Sequence, residues 1–190
     1  MIEPQNTLRD ALILAGIEEI NQHGISDFSM RHVAQICNVS CAAPYRHFKD
    51  KKHFIEAIIQ YVNGIWAQRQ QLILNECSAD RREQLTELSV QYICFLMEKP
   101  FYRSVLMLNG DGFNNLYHKN QSSSKSLAQQ IQDELQKETG LDDEAWQKKQ
   151  IMIRSLIFGM VFLFDAGEFE YNEKTMGHIR ALIAREFDTI

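Results

Sequence analysis

The segment from Ser29 to Lys52 constrains the fold more than any other stretch of this chain. It reads SMRHVAQICNVSCAAPYRHFKDKK. Ser29 can accept a hydrogen bond from a backbone N–H at the start of a helix. Apolar residues then recur at helical spacing, at Met30, Val33, Ala34 and Cys37. The pattern predicts a first helix of about two turns.

A sharp reversal is expected at Asn38 and Val39. Asparagine is one of the few residues besides glycine that enters the left-handed region cheaply. We expect Ser40 to cap a second helix, which runs from Cys41 to about Phe48. Two short helices joined by a tight turn form a helix-turn-helix, whose second helix lies in the major groove of DNA.

The charge of this segment differs from that of the whole chain. Between Ser29 and His53 there are five Lys or Arg residues and one acid, whereas the chain has a net charge of -5 and a pI near 5.7. An acidic total argues against an architectural binder coated with basic surface. It permits sequence-specific DNA binding, because only one face needs to be positive.

Several side chains suit particular parts of a DNA duplex. Lys51 begins the next predicted helix, where a cation and free backbone N–H groups suit a phosphate, although a solvated charge is the simpler reading. Arg46 can bind guanine through its two-pronged guanidinium or pair with a phosphate, and the sequence leaves both open. Cys41, Ala42 and Ala43 are small enough for apolar contact with thymine methyl groups.

Several pairs and clusters of residues in and around this segment match the sequence pattern of a known protein family. They are Phe28-Ser29, Val33-Ala34, Val39-Ser40, Ala43-Pro44-Tyr45-Arg46-His47-Phe48 and Lys49-Asp50-Lys51. From about Leu8 to Val62 the chain resembles the N-terminal domain of TetR/AcrR-type transcriptional regulators. It departs from their pattern at Asn38, where Gly is usual, and at Gly16, where Ala is usual.

The resemblance implies roles for three neighbouring residues. Tyr45 is expected to contact a phosphate, His47 to contact DNA, and Phe48 to pack in the core. The full set of predicted DNA contacts is Ser29, Arg31, Ser40, Cys41, Ala42, Ala43, Tyr45, Arg46, His47 and Lys51.

The rest of the chain has helical periodicity and no useful strand-like alternation, so we predict an all-α fold of about nine helices. Residues 1–50 are expected to form the helix-turn-helix domain, and residues 51–190 a helical ligand-binding and dimerisation domain. Asp50 is expected to cap a long helix of about residues 51–75. This helix would be a lever between the two domains.

The predicted helix around Gly159 is apolar on nearly all sides and therefore needs burial on more than one face. We predict that it pairs with the last helix and their symmetry mates in a four-helix homodimer interface, as the resemblance implies. A buried helix in a monomer is the alternative. The predicted interface residues are Ser155, Phe158, Gly159, Phe162, Ile179 and Ile183.

The resemblance also implies a small-molecule pocket in the C-terminal domain, framed by helices that start near Leu85, Phe101 and Leu127. Soft and aromatic side chains there favour an apolar or aromatic effector, with Tyr92, Tyr102 and Arg103 as polar groups, although such residues are more often simple core. The predicted pocket residues are Trp66, Tyr92, Phe95, Phe101, Tyr102, Met107, Phe113, Phe158 and Phe162. The alternative is a DNA-binding regulator controlled by a protein partner or by redox state.

Other function classes find little support in the sequence. There is no nucleophile elbow, H-E-x-x-H or Gly-rich phosphate loop, so we expect no enzyme and no cofactor. The four cysteines lack paired metal spacing, so no metal site is expected. The most apolar run, from Leu156 to Phe164, is shorter than the roughly 20 residues of a membrane span, and a cytoplasmic location is expected.

Overall fold

The computed structural model describes residues 7–108 and 127–188, and its regular elements in these ranges are all α-helices. The predicted all-α fold is confirmed. In chain order the helices are α1 (Leu8–His23), α2 (Met30–Ile36), α3 (Ala43–His47), α4 (Lys51–Glu76), α5 (Arg81–Glu98), α6 (Pro100–Leu108), α7 (Leu127–Thr139), α8 (Asp143–Asp165) and α9 (Glu173–Asp188). No helix in the described ranges is long and apolar enough to cross a membrane.

The helices belong to two compact units. The first consists of the described residues of 1–68 and 99–119, and it contains α1, α2, α3, most of α4 and α6. The second consists of the described residues of 69–98 and 120–190, and it contains the end of α4 with α5, α7, α8 and α9. The packing thus groups residues differently from the predicted division at residue 50, which remains a prediction about function.

Short polar side chains cap the starts of several helices, including α2, α4 and α8. Ser29, Asp50 and Asp142 each accept a hydrogen bond from the backbone N–H three residues further on, at 3.2, 2.9 and 2.8 Å. Each bond satisfies a donor that has no partner inside its helix. The predicted caps of α2 and α4 are confirmed.

The predicted reversal after α2 is also confirmed. Asn38 has a φ of 53°, in the left-handed region. Its N–H donates to the carbonyl of Gln35 at 3.0 Å, and the N–H of Val39 donates to the carbonyl of Ala34 at 2.9 Å. These two bonds form the Schellman arrangement, with asparagine in the position usually held by glycine.

The start of α3 differs from the prediction. The helix begins at Ala43 rather than Cys41, and no side chain caps it. A helix capped by Ser40 would need the backbone N–H of residue 44 to donate to the Ser40 carbonyl, and Pro44 has no N–H. The Ser40 carbonyl instead accepts from the N–H of Ala43 at 2.8 Å, which closes a turn ahead of the helix.

Aromatic rings fill the core of the first unit. The rings of Phe48 and Phe54 stack with centroids 4.0 Å apart, and Phe28 meets Phe54 edge to face at 5.3 Å. Gly16 allows α4 to pack closely on α1, because a Cβ at this position would lie 2.6 Å from the Cδ1 of Ile58. Phe48 is buried, as predicted.

In the second unit, α5 packs against α7, α8 and α9. Its buried side chains include Leu88, Tyr92 and Phe95. At the surface of the same helix, Glu87 forms an ion pair with Arg180 of α9. α5 is therefore the central helix of this unit.

Candidate nucleic-acid interface

Helix α3 separates its side chains sharply between core and solvent. Ala43 and Pro44 are buried at its first turn, and Phe48 is buried directly after its last residue. Between them Tyr45, Arg46 and His47 are exposed, and Tyr45 retains 59% of its accessible surface. The helix thus presents a phenol, a guanidinium and an imidazole to solvent from a backbone held at both ends.

The stack of Phe48 on Phe54 fixes this orientation. The two rings are almost parallel, with an interplanar angle of 4°. The guanidinium of Arg9 lies over the Phe48 ring, 5.5 Å from its centroid. Contacts with α1 and α4 therefore hold the end of α3 and limit how far its exposed side chains can move.

Each of the helices α2 and α3 carries one exposed arginine. Arg31 lies in the first turn of α2, and Arg46 lies in α3. Neither forms a hydrogen bond or an ion pair with another residue in the described ranges, and all five donors of each guanidinium remain available. An available guanidinium suits both phosphates and guanine edges.

Lys51 is exposed but already has a partner in the first unit. Its ammonium donates to the carbonyl of Ser26 at 2.9 Å and lies 5.9 Å from the centroid of the Phe28 ring. Because an ammonium carries three donors, the others remain available for a phosphate. Lys51 therefore ties the start of α4 to the connection between α1 and α2.

The single acid of the basic segment is engaged locally. The carboxylate of Asp50 accepts hydrogen bonds from the backbone N–H and the Nδ1 of His53, both at 2.9 Å. These bonds lower the pKa of the Asp50 carboxyl from its ordinary value. The negative charge of the Asp50 carboxylate therefore lies beside the N-terminus of α4 and the imidazole of His53.

The remaining predicted contacts lie around α2 and the turn. Ser29 is half-buried, and its hydroxyl oxygen already accepts the capping bond of α2. Ser40, Cys41 and Ala42 are exposed, which leaves them open to a duplex. Ala43 is buried against the core and offers less methyl surface than its neighbours.

A cluster that the sequence analysis missed lies beside Ser29. The buried carboxylate of Glu19 accepts from the Ser29 N–H at 3.3 Å, and its other oxygen lies 2.5 Å from the Nδ1 of His32 and 3.3 Å from the Nδ1 of His23. The spacing of Glu19 and His23, four residues apart on one helix, was a signal in the sequence. His32 joins them only through the packing of α2 on α1.

The predicted pocket residues differ in how far their side chains are buried. Phe101 and Phe162 are exposed, Tyr102 and Phe158 are half-buried, and the side chain of Met107 and all of Phe113 lie outside what the structure describes. Trp66 is buried. In the second unit Tyr92 packs on Phe95 and meets Phe158 edge to face, with centroids 6.3 and 6.2 Å apart. An open depression of about 450 Å³ occurs at the end of α7, and it contains none of the predicted residues: it is lined by Asp133, Gln136, Lys137, Gly140 and Leu141.

The predicted interface residues fall into two groups. Ser155 and Phe162 are exposed on α8, and Phe158 and Gly159 are partly exposed on the same face. Ile179 and Ile183 of α9 are buried in the core of the second unit, with 2% and 0% of their surface accessible. These two isoleucines are not available to a partner in this structure.

Comparison with known proteins identifies the first unit. A family model for bacterial regulatory proteins of the tetR family matches residues 12–58, which include α2, α3 and the start of α4. A probable acrEF/envCD operon repressor from Escherichia coli K12 is 27% identical over 130 residues, which are 65% of this chain and 53% of that protein. The chain thus matches about half the length of this curated relative.

Solved structures share the fold along nearly the whole chain. A TetR family transcription regulator from Marinobacter aquaeolei VT8 has a TM-score of 0.75 and 19% identity, with 94% of each chain covered. A TetR variant from Acinetobacter baumannii AYE in complex with minocycline has a TM-score of 0.52 and 16% identity, with 94% of this chain and 93% of that chain covered. Residues 12–58 of this chain thus match bacterial regulatory proteins of the tetR family, and its all-α fold is similar to that of solved TetR family regulators.

Proposed function

We propose that this protein is a sequence-specific, DNA-binding transcriptional repressor that acts as a homodimer and is released from DNA by a small, mostly apolar or aromatic molecule. The observation that carries the proposal is the surface of α3. Tyr45, Arg46 and His47 are exposed side by side on a helix whose flanking residues are buried. This helix lies in the part of the chain matched by the tetR family model.

Tyr45, Lys51 and Ser29 would anchor phosphates, and Arg46 or His47 would contact bases. Phosphate contacts set the register of a protein on DNA, whereas contacts with base edges supply specificity. The composition of the basic segment suits both kinds of contact. It contains five Lys or Arg residues and a single acid, Asp50, which is hydrogen-bonded to His53. Binding should weaken strongly with added salt, because each phosphate contact releases counterions.

The exposed face of α8 supports a homodimer. Ile151, Met152, Ser155 and Phe162 are exposed at helical spacing, while Ile153, Ile157 and Val161 on the opposite face are buried. A Cβ placed on Gly159 would meet nothing within 4 Å, so a second backbone has room to approach there. On α9 the exposed Leu182 replaces Ile179 and Ile183 in the proposed interface.

Two observations support control by a small molecule. The interior of the second unit combines aromatic rings, among them Tyr92, with the buried polar residues Ser89 and Gln132. A TetR of similar fold has been solved with minocycline. A ligand in this unit would act through α4, which is continuous across the division at residue 68. To shift the protein between two conformers, the ligand must bind one of them better than the other.

Control by redox state is the less favoured alternative. The described chain has four free cysteines, and burial raises the pKa of the Cys37 and Cys77 thiols. A raised pKa leaves less thiolate, which is the reactive form. If a ligand screen finds no compound that releases the protein from DNA, control by a protein partner becomes the favoured alternative.

A mobility-shift experiment tests the DNA-binding half of the proposal. The purified protein is mixed with a fragment carrying the region upstream of its own gene, in excess random competitor DNA. We expect a competitor-resistant complex of the size of one dimer on one site. A complex that random DNA removes completely would contradict sequence-specific regulation at that site.

The same assay then separates the two forms of control. Apolar aromatic compounds and polar metabolites of similar size are added to the preformed complex. We expect members of the apolar set to dissociate it. Dissociation by the polar set alone would contradict the apolar assignment.

A further inference from the structure

We propose that Glu19, His23 and His32 form a binding site for a divalent transition-metal ion, and that Zn²⁺ suits its donors best. The three residues bring one carboxylate and two imidazoles together, with their ligand atoms all within 4.8 Å of one another. They come from the last turns of α1 and the first turn of α2. The site is separate from the exposed surface of α3.

The buried carboxylate is the first step of the argument. Only 2% of Glu19 is accessible, and burying an ionised carboxylate is costly unless it is paired and hydrogen-bonded. Within the described ranges its ion-pair partners are the two imidazoles, with no Lys or Arg among them. A metal ion held by the carboxylate and the two imidazoles would place a positive charge directly beside the buried carboxylate.

The distances are close to those of a coordination site. Ligands at 2.0–2.1 Å from a tetrahedral Zn²⁺ lie about 3.3 Å from one another. The Nδ1 of His23 already lies 3.3 Å from the Glu19 oxygen. The Nδ1 of His32 lies 2.5 Å from it, a hydrogen-bond distance, and must withdraw by about 0.8 Å to share an ion.

The surroundings allow an ion to enter and to be held in place. The side chains of His23 and His32 are 45% and 44% exposed, so one side of the site faces water, which can supply a fourth ligand. The second oxygen of Glu19 accepts from the Ser29 N–H, and this bond orients the carboxylate. The site is thus open on the imidazole side and fixed on the carboxylate side.

The donor types select the metal. Two imidazoles with one carboxylate suit Zn²⁺ and its neighbours among the transition metals, whereas Mg²⁺ and Ca²⁺ prefer oxygen ligands throughout. A bound ion would join the end of α1 to the start of α2. Since Glu19 also holds the N–H of Ser29, the ion would stabilise the region from which α2 begins.

The test measures metal binding by the full chain without DNA, so its result does not depend on the proposed function. The protein is freed of metal with a chelator and titrated with Zn²⁺ against a chromophoric zinc indicator. We expect one tight site per chain, and a loss of affinity of at least about tenfold in H23Q and in H32Q. H53Q is the matched control, because His53 also places its Nδ1 beside a carboxylate, at 2.9 Å from Asp50, but lies outside the cluster.

Co²⁺ replaces Zn²⁺ in a second measurement that keeps the test valid if H32Q does not fold. Wild type and H53Q should show the intense visible absorption of four- or five-coordinate Co²⁺, and H23Q, whose substitution is at a half-exposed position, should lose it. Equal zinc affinity in wild type and H23Q would overturn the proposal. A cobalt spectrum identical to that of the hydrated ion would overturn it as well.

Discussion

At the residue scale, the proposed DNA recognition depends on side chains that are exposed next to residues that are buried. Arg46 is open to solvent two residues before Phe48, which stacks on Phe54. The stack restricts the backbone, so the guanidinium would approach a DNA duplex from a defined position. Lys51 differs, because part of its hydrogen-bonding capacity is used within the protein.

Replacing these two residues separates base reading from phosphate binding. If Arg46 reads a base, Arg46→Ala should weaken binding to the specific site by roughly 1–3 kcal/mol and relax the preference at one position, whereas Lys51→Ala should weaken binding to all sequences alike. Fluorescence anisotropy with specific and random duplexes measures both effects. Lys148→Ala is the control, since Lys148 is an exposed residue of α8 and lies outside the basic segment. Equal losses on both duplexes for Arg46→Ala would make Arg46 a backbone contact.

The sequence predicted these residues better than it predicted their partners. Exposed polar groups within a short basic helix follow from local pattern, and so does the burial of Phe48. The bond from Lys51 to the Ser26 carbonyl joins residues 25 positions apart, and the Glu19–His32 pair joins residues 13 apart. Such pairs depend on how the helices pack, which local periodicity does not specify.

At the element scale, local rules predicted the helix boundaries where one cap determines them. Ser29, Asn38 and Asp50 act as their residue types suggest. The prediction for α3 was wrong at its first residue, because the lack of an N–H on Pro44 outweighs the capping preference of Ser40. A missing donor at a required hydrogen bond excludes a helix start, whereas a favourable cap only promotes one.

Close packing of α1 on α4 gives a prediction for Gly16. Alanine would favour the helix by about 1 kcal/mol, but its Cβ would meet the Cδ1 of buried Ile58, and overpacking typically costs about 1–3 kcal/mol. Ile58→Val removes that carbon at a typical cost of about 0.5–1.5 kcal/mol. We expect Gly16→Ala and Ile58→Val to be coupled favourably by roughly 1 kcal/mol in urea unfolding of the double mutant. Strict additivity would contradict the contact between α1 and α4.

The ion pair between α5 and α9 predicts a pH dependence. Burial alone would raise the pKa of Glu87, but hydrogen bonds from Arg180 and Gln91 outweigh it and lower the pKa. A lowered pKa contributes stability above the unfolded-state value, and this contribution is lost as the pH falls through the folded-state pKa. Arg180→Met should therefore cost roughly 1–2 kcal/mol near pH 7 and less in acid, below both pKa values. Unfolding curves at neutral and acid pH measure this difference, and an equal cost at both would contradict it.

At the scale of the whole molecule, the uncovered face of α8 is the main feature that a monomer leaves unexplained. Phe162 exposes 67% of its surface, on the same face as Ile151 and Met152. The sequence indicated that this helix needs burial on two faces. It did not show which residues of α9 lie outside the core, because Ile179 and Leu182 are equally apolar.

Phe162→Glu should convert the proposed dimer into a monomer of 22.1 kDa, the mass of one chain. The substitution places a charge at the centre of an apolar face, and it should change monomer stability by no more than about 0.5 kcal/mol because the site is exposed. Sedimentation at micromolar concentration measures the change. Phe169→Glu is the control, since Phe169 is also exposed but lies beyond the end of α8. A wild-type protein that sediments only as a single chain would contradict the proposed interface.

Selection of binding sites from random oligonucleotides tests the central claim most directly. A dimer with one α3 in each of two successive major grooves should enrich an inverted repeat whose half-sites are about one helical turn apart, or a multiple of it. Arg46→Ala should yield the same repeat with one position relaxed. Recovery of sequences without a common motif, by protein that still binds DNA, would contradict a sequence-specific regulator.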